Sequence, residues 1–176
     1  MLSRVKNKKG ISEVVGYILL IGISIAMSII VYAWLKTYVP AEAPTCADGT
    51  SFYISDINCT GGKLNISFEN NGKFSINGYY IHASDNPDTT QLATIDLSSK
   101  IINGGFLAGN SILFSQITDN SLNPGDEMQS SFDVSGYNTL YKIEIIPTRI
   151  QESNNQKLIV SCANAKVDEN FECSSS

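Results

Sequence analysis

Four cysteines, one histidine, two Asn-x-Ser/Thr triplets and one acid at the head of an apolar run are the residues whose types and spacing could do chemistry. Cys46, Cys59, Cys162 and Cys173 are even in number and form no CxxC pair, which favours two disulfides over a metal site. His82 lies far from all of them in sequence and beside Tyr79 and Tyr80, where it reads as structural or exposed. Asp85 and Asp88 flank Pro87 in a polar stretch that is no more a calcium loop than many acidic loops are. Asp126-Glu127 reads as turn chemistry. Asn58-Cys59-Thr60 and Asn65-Ile66-Ser67 fit the N-glycosylation pattern, and Asn65 is the better acceptor because Asn58 precedes a cysteine expected to be bridged. There is no nucleophile elbow, phosphate loop or paired-acid motif, so neither an enzyme, a metal nor a cofactor is expected.

The elements that carry these residues divide the chain in two. Its 176 residues have a net charge of -5, but the charge is uneven. Arg4, Lys6, Lys8 and Lys9 precede an apolar run with no acid among them. From Pro40 onward seven Lys/Arg face sixteen Asp/Glu, a balance of -9. Nucleic acid needs a basic surface and is excluded as a partner. The acids of the distal part read as solubility rather than as a binding site.

Val14 to Leu35 contains 22 residues and no charge. As a helix it would be roughly 33 Å long, enough to cross a membrane. A removable secretory signal has a shorter apolar core followed by a small residue, whereas here the run is long and Gly10 precedes it. The helix is therefore expected to be retained. Four basic residues on one side against Lys36 on the other place the N-terminus inside and the acidic part outside. Tyr32, Trp34 and Tyr38 suit the outer interface, and Pro40 and Pro44 end the helix. Ser12 and Gly16, Gly22 and Ala26, and Ser24 and Ser28 are each four apart, a spacing that lets helices approach closely but is also common in membrane helices. Glu13 is costly in an apolar helix unless it has a partner or reaches the interface.

After Pro40 the period changes from helix to strand. Lys63 to Glu69 alternates, with Leu64, Ile66 and Phe68 on one face. Strands are expected over 50–58, 76–84, 112–117, 128–134, 140–146 and 157–162, with further ones over 91–97 and 166–173. Turns fall at Cys59-Thr60-Gly61-Gly62, Asn70-Asn71-Gly72 and Asn123-Pro124-Gly125-Asp126, and Pro147 should confine its strand to an edge or an end. The expected fold is α+β: a long N-terminal helix over 11–39, a linker over 40–49, and an antiparallel β-sandwich of seven to nine strands over 50–176. Two stretches, LNISFENNGKFSINGYYIH and LNPGDEMQSSFDV, resemble the strand-turn pairs of immunoglobulin-like adhesion-type domains.

Four cysteines allow three pairings. Cys46–Cys59 and Cys162–Cys173 would each have to fold back across an extended segment. With the first and last strands as antiparallel neighbours, the nested pairing Cys46–Cys173 and Cys59–Cys162 is expected.

Lys8-Lys9-Gly10 followed by Ile11-Ser12-Glu13-Val14-Val15-Gly16-Tyr17-Ile18-Leu19-Leu20 resembles the N-terminus of archaeal type IV pilins and archaellins. The resemblance covers residues 8 to about 39. It implies that a prepilin peptidase removes a basic leader, 1–10, by cutting between Gly10 and Ile11. It further implies that the mature helix packs with identical or related subunits as a filament core, sheathed by the outer domains. The precursor would sit in the cytoplasmic membrane and the assembled subunit outside the cell, in adhesion or motility. Gly16, Gly22 and Ala26 would serve close packing, and Glu13 would pair with the free amino group of Ile11. Bacterial-type pilins carry an acid at the fifth mature position, whereas Glu13 would be the third. The competing reading is a surface protein anchored by one helix, whose sandwich binds a ligand or partner.

Overall fold

The computed structural model describes residues 9–38, 45–153 and 156–174, with 9–13 described by their backbone alone. The chain divides into two compact units, Met1–Ala43 and Pro44–Ser176. In the first, α1 spans Lys9–Tyr38 without a break. Its sequence has no proline and only scattered glycines, so nothing interrupts the bonds from each N–H after the first turn to the carbonyl one turn back.

The second unit is an antiparallel β-sandwich with eleven strands among the described residues. These are β1 (Tyr53–Thr60), β2 (Lys63–Glu69), β3 (Gly78–Ser84), β4 (Ile95–Asp96), β5 (Ile101–Asn103), β6 (Phe106–Ala108), β7 (Ser111–Leu113), β8 (Glu127–Asp133), β9 (Thr139–Ser153), β10 (Gln156–Ser161) and β11 (Val167–Ser174). One sheet has the order β1-β2-β8-β5. The other runs β10-β9-β3-β7-β6, with β11 also paired to β9 and β4 to β3.

The alternation seen in the sequence becomes the core. Leu64, Ile66 and Phe68 of β2, Phe132 of β8, Tyr79 and Ile81 of β3, and Ile143 and Ile145 of β9 are fully buried between the sheets. Phe68 and Tyr79 meet across the sandwich with ring centres 5.0 Å apart, and Phe52 and Phe114 extend the aromatic cluster on either side. Each such ring removes a large apolar area from water, which makes this cluster the main stabilising contact between the sheets.

Two local expectations are corrected. The chain does not turn at Cys59-Thr60. β1 runs through both, Thr60 pairs with Lys63, and the turn is Gly61-Gly62 alone, both at positive φ as a two-residue hairpin requires. Pro147 is neither at an edge nor at an end. It lies inside the fifteen-residue β9, with β3 on one side and β10 and β11 on the other. By contrast, Asn123-Pro124-Gly125-Asp126 turns as expected. The Asp126 N–H bonds the Asn123 carbonyl at 2.9 Å, Gly125 has φ 85°, and the Asp126 carboxylate accepts the Asn123 N–H at 2.8 Å.

Candidate functional site

α1 carries a long row of exposed apolar side chains. Val14–Tyr38 is 25 residues long, sufficient to cross a membrane, and none of it is buried within the chain. Its large apolar side chains are 48% to 70% exposed. A helix apolar all round needs lipid or other protein to cover it. Its polar groups do not oppose this. The hydroxyls of Ser24 and Ser28 donate to the carbonyls of Leu20 and Ser24 at 2.8 Å, and Thr37 donates to Ala33 at 3.1 Å. Being satisfied within the helix, they demand no partner in hydrocarbon. Trp34 and Tyr38, one turn apart, hold their rings 4.8 Å from centre to centre near the C-terminal end.

Lys9, Gly10, Ile11 and Glu13 lie in the opening turns of α1 by their backbone, and Lys8 falls outside the described residues. A Cβ added at Gly16 or Gly22 would meet nothing, so both glycines leave open notches on the helix surface, and Ala26 follows one turn after Gly22. α1 is a candidate membrane anchor or signal, and the two disulfides of the sandwich suggest an extracellular domain.

The disulfides themselves are Cys46–Cys162 and Cys59–Cys173, with Cα atoms 5.0 and 5.4 Å apart. The nested pairing Cys46–Cys173 and Cys59–Cys162 is thereby overturned. The reason is strand direction. β1 and β11 lie edge to edge but run parallel. Ser55, Asp56 and Ile57 share a cleft with Glu169, Asn170 and Phe171, and the seventh residues of the two strands, Cys59 and Cys173, are bonded. Parallel neighbours pair start with start and end with end, which sends Cys46 to Cys162.

Both glycosylation triplets lie on strands. Asn65 sits on β2 between β1 and β8, and its carboxamide oxygen accepts the Ser131 hydroxyl at 2.6 Å. Asn58 is exposed on the edge strand β1, and its carboxamide oxygen takes the hydroxyl of Thr60, the third residue of its own triplet, at 2.8 Å. Asn58 is the accessible one.

His82, half-buried on β3, stands opposite Asp96 of β4 and Glu144 of β9, on the face of the sheet turned away from the core. On that face the sequence reading missed a cluster of charges. Lys142 and Glu144, both nearly buried, pair at 3.0 Å. Lys166 reaches Glu144 at 3.4 Å, and Asp168 lies 3.8 Å from Lys142. Lys142 also donates to the Gln91 carbonyl at 3.3 Å, which ties down the loop ahead of β4. Burial alone would raise the Glu144 carboxyl. The hydrogen bonds from Lys142 and the Ala93 backbone and the charge of Lys166 outweigh it, and the carboxyl titrates below its usual range. The hydrogen bond to Glu144 in turn raises the Lys142 ammonium. Lys-x-Glu at alternate positions was legible on β9, but only the strand order shows that β11 completes the set. These charges pair with one another, so the cluster is a structural clamp.

Asp88 spends its carboxylate on Thr90 and Gln91 within its own loop, and no group of three metal-ligating side chains occurs among the described residues. Set against known proteins, the chain matches no protein-family model, and no curated protein matches it closely enough to count as a relative.

Proposed function

We propose that the chain is the precursor of a type IV pilin-like filament subunit, processed by a prepilin peptidase and assembled through α1. One observation carries the reading. A Lys-Lys-Gly sequence stands three residues ahead of an uncharged run of membrane length, 14–35, whose large apolar side chains are exposed. An anchor needs only length. A helix that must leave lipid for a bundle of its own kind also needs notches for close approach and polar groups that are already satisfied. Gly16, Gly22 and Ala26 supply the first, and the self-bonded Ser24 and Ser28 the second. The bridged sandwich is the part displayed outside.

Glu13, third from the new N-terminus, pairs in this reading with the amino group of Ile11, which is largely charged at neutral pH. N-terminal sequencing of material sheared from the cell surface tests the proposal, and Ile11 as first residue with the protein sedimenting as filaments is the expected result. An intact Met1 on monomeric surface protein would replace it with the single-helix anchor. Glu13→Gln should abolish or weaken assembly, and normal filaments from that variant would remove the ion pair from the mechanism.

A further inference from the structure

An Asn-Gly pair can close on itself, because glycine has no Cβ to hold its nitrogen away from the carboxamide before it. The sequence has three such pairs, Asn71-Gly72, Asn77-Gly78 and Asn103-Gly104. The fold treats them differently. Asn77 is 1% exposed, and its carboxamide oxygen accepts the Asn120 N–H at 3.0 Å. Gly78 is paired with Leu113 on one side and Thr148 on the other. Asn71 is exposed, but the Gly72 N–H donates to the carboxamide of Asn70, at 3.0 Å. Only Asn103 is both exposed and aligned. It ends β5, and the N–H of its own glycine donates to its carboxamide oxygen at 2.8 Å.

We propose that Asn103 is a modification site, at which the Gly104 nitrogen closes on the Asn103 carboxamide and turns it into an acid. The hydrogen bond already holds that nitrogen against the carboxamide, the near-attack arrangement an intramolecular reaction needs. The Gly104 nitrogen gives its proton to solvent and bonds to the side-chain carbonyl carbon. The carboxamide nitrogen takes up a proton and leaves as ammonia, and a five-membered succinimide remains. Water then opens the ring. Breaking the bond from nitrogen to the side-chain carbon leaves aspartate. Breaking the bond from nitrogen to the Asn103 main-chain carbon leaves isoaspartate, with the chain routed through the former side chain. Either way one water is consumed, one ammonia is released, and nothing is oxidised or reduced. The reaction needs no partner beyond water, and exposed Asn103 meets it.

The two products differ in what the fold can accept. Aspartate keeps the backbone length and adds a charge at an exposed position. Isoaspartate adds one carbon to the main chain immediately before Gly104, where there is no slack. A Cβ at Gly104 would fall 2.0 Å from the Gln129 carbonyl oxygen, and one at Gly105 2.4 Å from the Ile112 side chain. The Gly104 carbonyl also accepts the Ser130 hydroxyl at 2.9 Å. A strand held in register cannot absorb an insertion beside such a fixed point. β5 is the outermost strand of its sheet and pairs with β8 at Ile101 and Asn103, so isoaspartate should release it.

The test holds the full folded chain in detergent at mildly alkaline pH, beside a sample unfolded in urea with its disulfides reduced. Peptide mapping with fragmentation follows all three pairs in both. In the folded chain Asn103 should convert at least roughly tenfold faster than Asn71 or Asn77, with isoaspartate among its products. In the unfolded chain the three rates should come together. Asn103→Gln, whose longer side chain would need a six-membered ring, should fold and show no conversion at that position. Hydrogen exchange of 127–133 should quicken in the isoaspartate fraction and stay native in Asn103→Asp. Conversion at Asn71 or Asn77 that keeps pace with Asn103 in the folded chain would overturn the site. So would an unreactive Asn103 in the folded chain, or the same ranking after unfolding. Unchanged exchange in the isoaspartate fraction would overturn the release of β5.

Discussion

The carbonyl oxygen of Pro147 accepts the backbone N–H of Cys162 at 2.8 Å, and that bond marks where the far side of β9 changes partner. β10 pairs with β9 as far as Ser161 opposite Thr148, and β11 takes over at Val167 opposite Ile145. The turn between them, with a short 3-10 segment at Ala163–Ala165, fills the gap. In an antiparallel ladder the N and O of one residue face the same neighbour, so the missing donor of Pro147 points into this gap. A central strand thus tolerates a proline because its partner strand is interrupted there. The same turn brings Cys162, fully buried, to Cys46.

Pro147→Ala should therefore gain no ladder bond. The expected result is a loss of up to about 1 kcal/mol from the greater freedom of the unfolded chain, measured by urea unfolding. A stabilised variant would mean that the proline does break a hydrogen bond.

The disulfide connectivity sets how far the domain can be stretched. Pulled between handles at Thr45 and Ser174, load passes from Cys46 to Cys162 and then along the chain to Cys173, so the bridges bypass most of the sandwich. Full extension of that short path is roughly 40 Å, against roughly 450 Å once both bridges are reduced. Single-molecule pulling with and without reductant reads the difference. Replacing Cys59 and Cys173 together by serine should cost several kcal/mol, since with Cys46–Cys162 intact this bridge closes the loop made of 46–59 and 162–173. For a loop of roughly 25 residues the loop-entropy value is about 3–4 kcal/mol.

Gly104 and Gly109 both have positive φ, at 85° and 63°, but only one is crowded. Around Gly109 an added Cβ meets nothing. Gly109→Ala should cost only the backbone preference, about 1–2 kcal/mol. Gly104→Ala adds a collision with the backbone of β8 and should cost clearly more, with thermal unfolding of the two variants as the comparison.

Glu144 gives the sandwich a pH dependence of known sign. Its folded carboxyl lies below the usual 4.5, so its contribution is full above that value and is lost as pH falls through the folded one. Glu144→Gln should be less stable than the native chain near neutral pH, and the gap should close in acid. Urea midpoints across that range measure it. A gap that does not change with pH would mean that Glu144 acts through packing rather than charge.

Elements whose patterns are local were legible in the sequence. α1 follows from an uncharged run of membrane length, β2 from strict alternation, and the turn before β8 from Asn-Pro-Gly-Asp. The α+β class follows from the change of period after Pro40. β5 and β6 were not legible, because three-residue strands between glycines are too short to show a period. The β9–β11 clamp was hidden because its halves lie on strands that are neighbours only in space.

The sequence by itself determined the apolar helix, its basic flank, the acidic β-rich remainder and the even cysteine count, because each depends on residue type and near-neighbour spacing. Only the tertiary structure decided which cysteines join, where Pro147 is tolerated and which asparagine is accessible. Each of these depends on the direction and order of strands far apart in the chain, set by how the two sheets bury a common core, and no local pattern of residues carries that information.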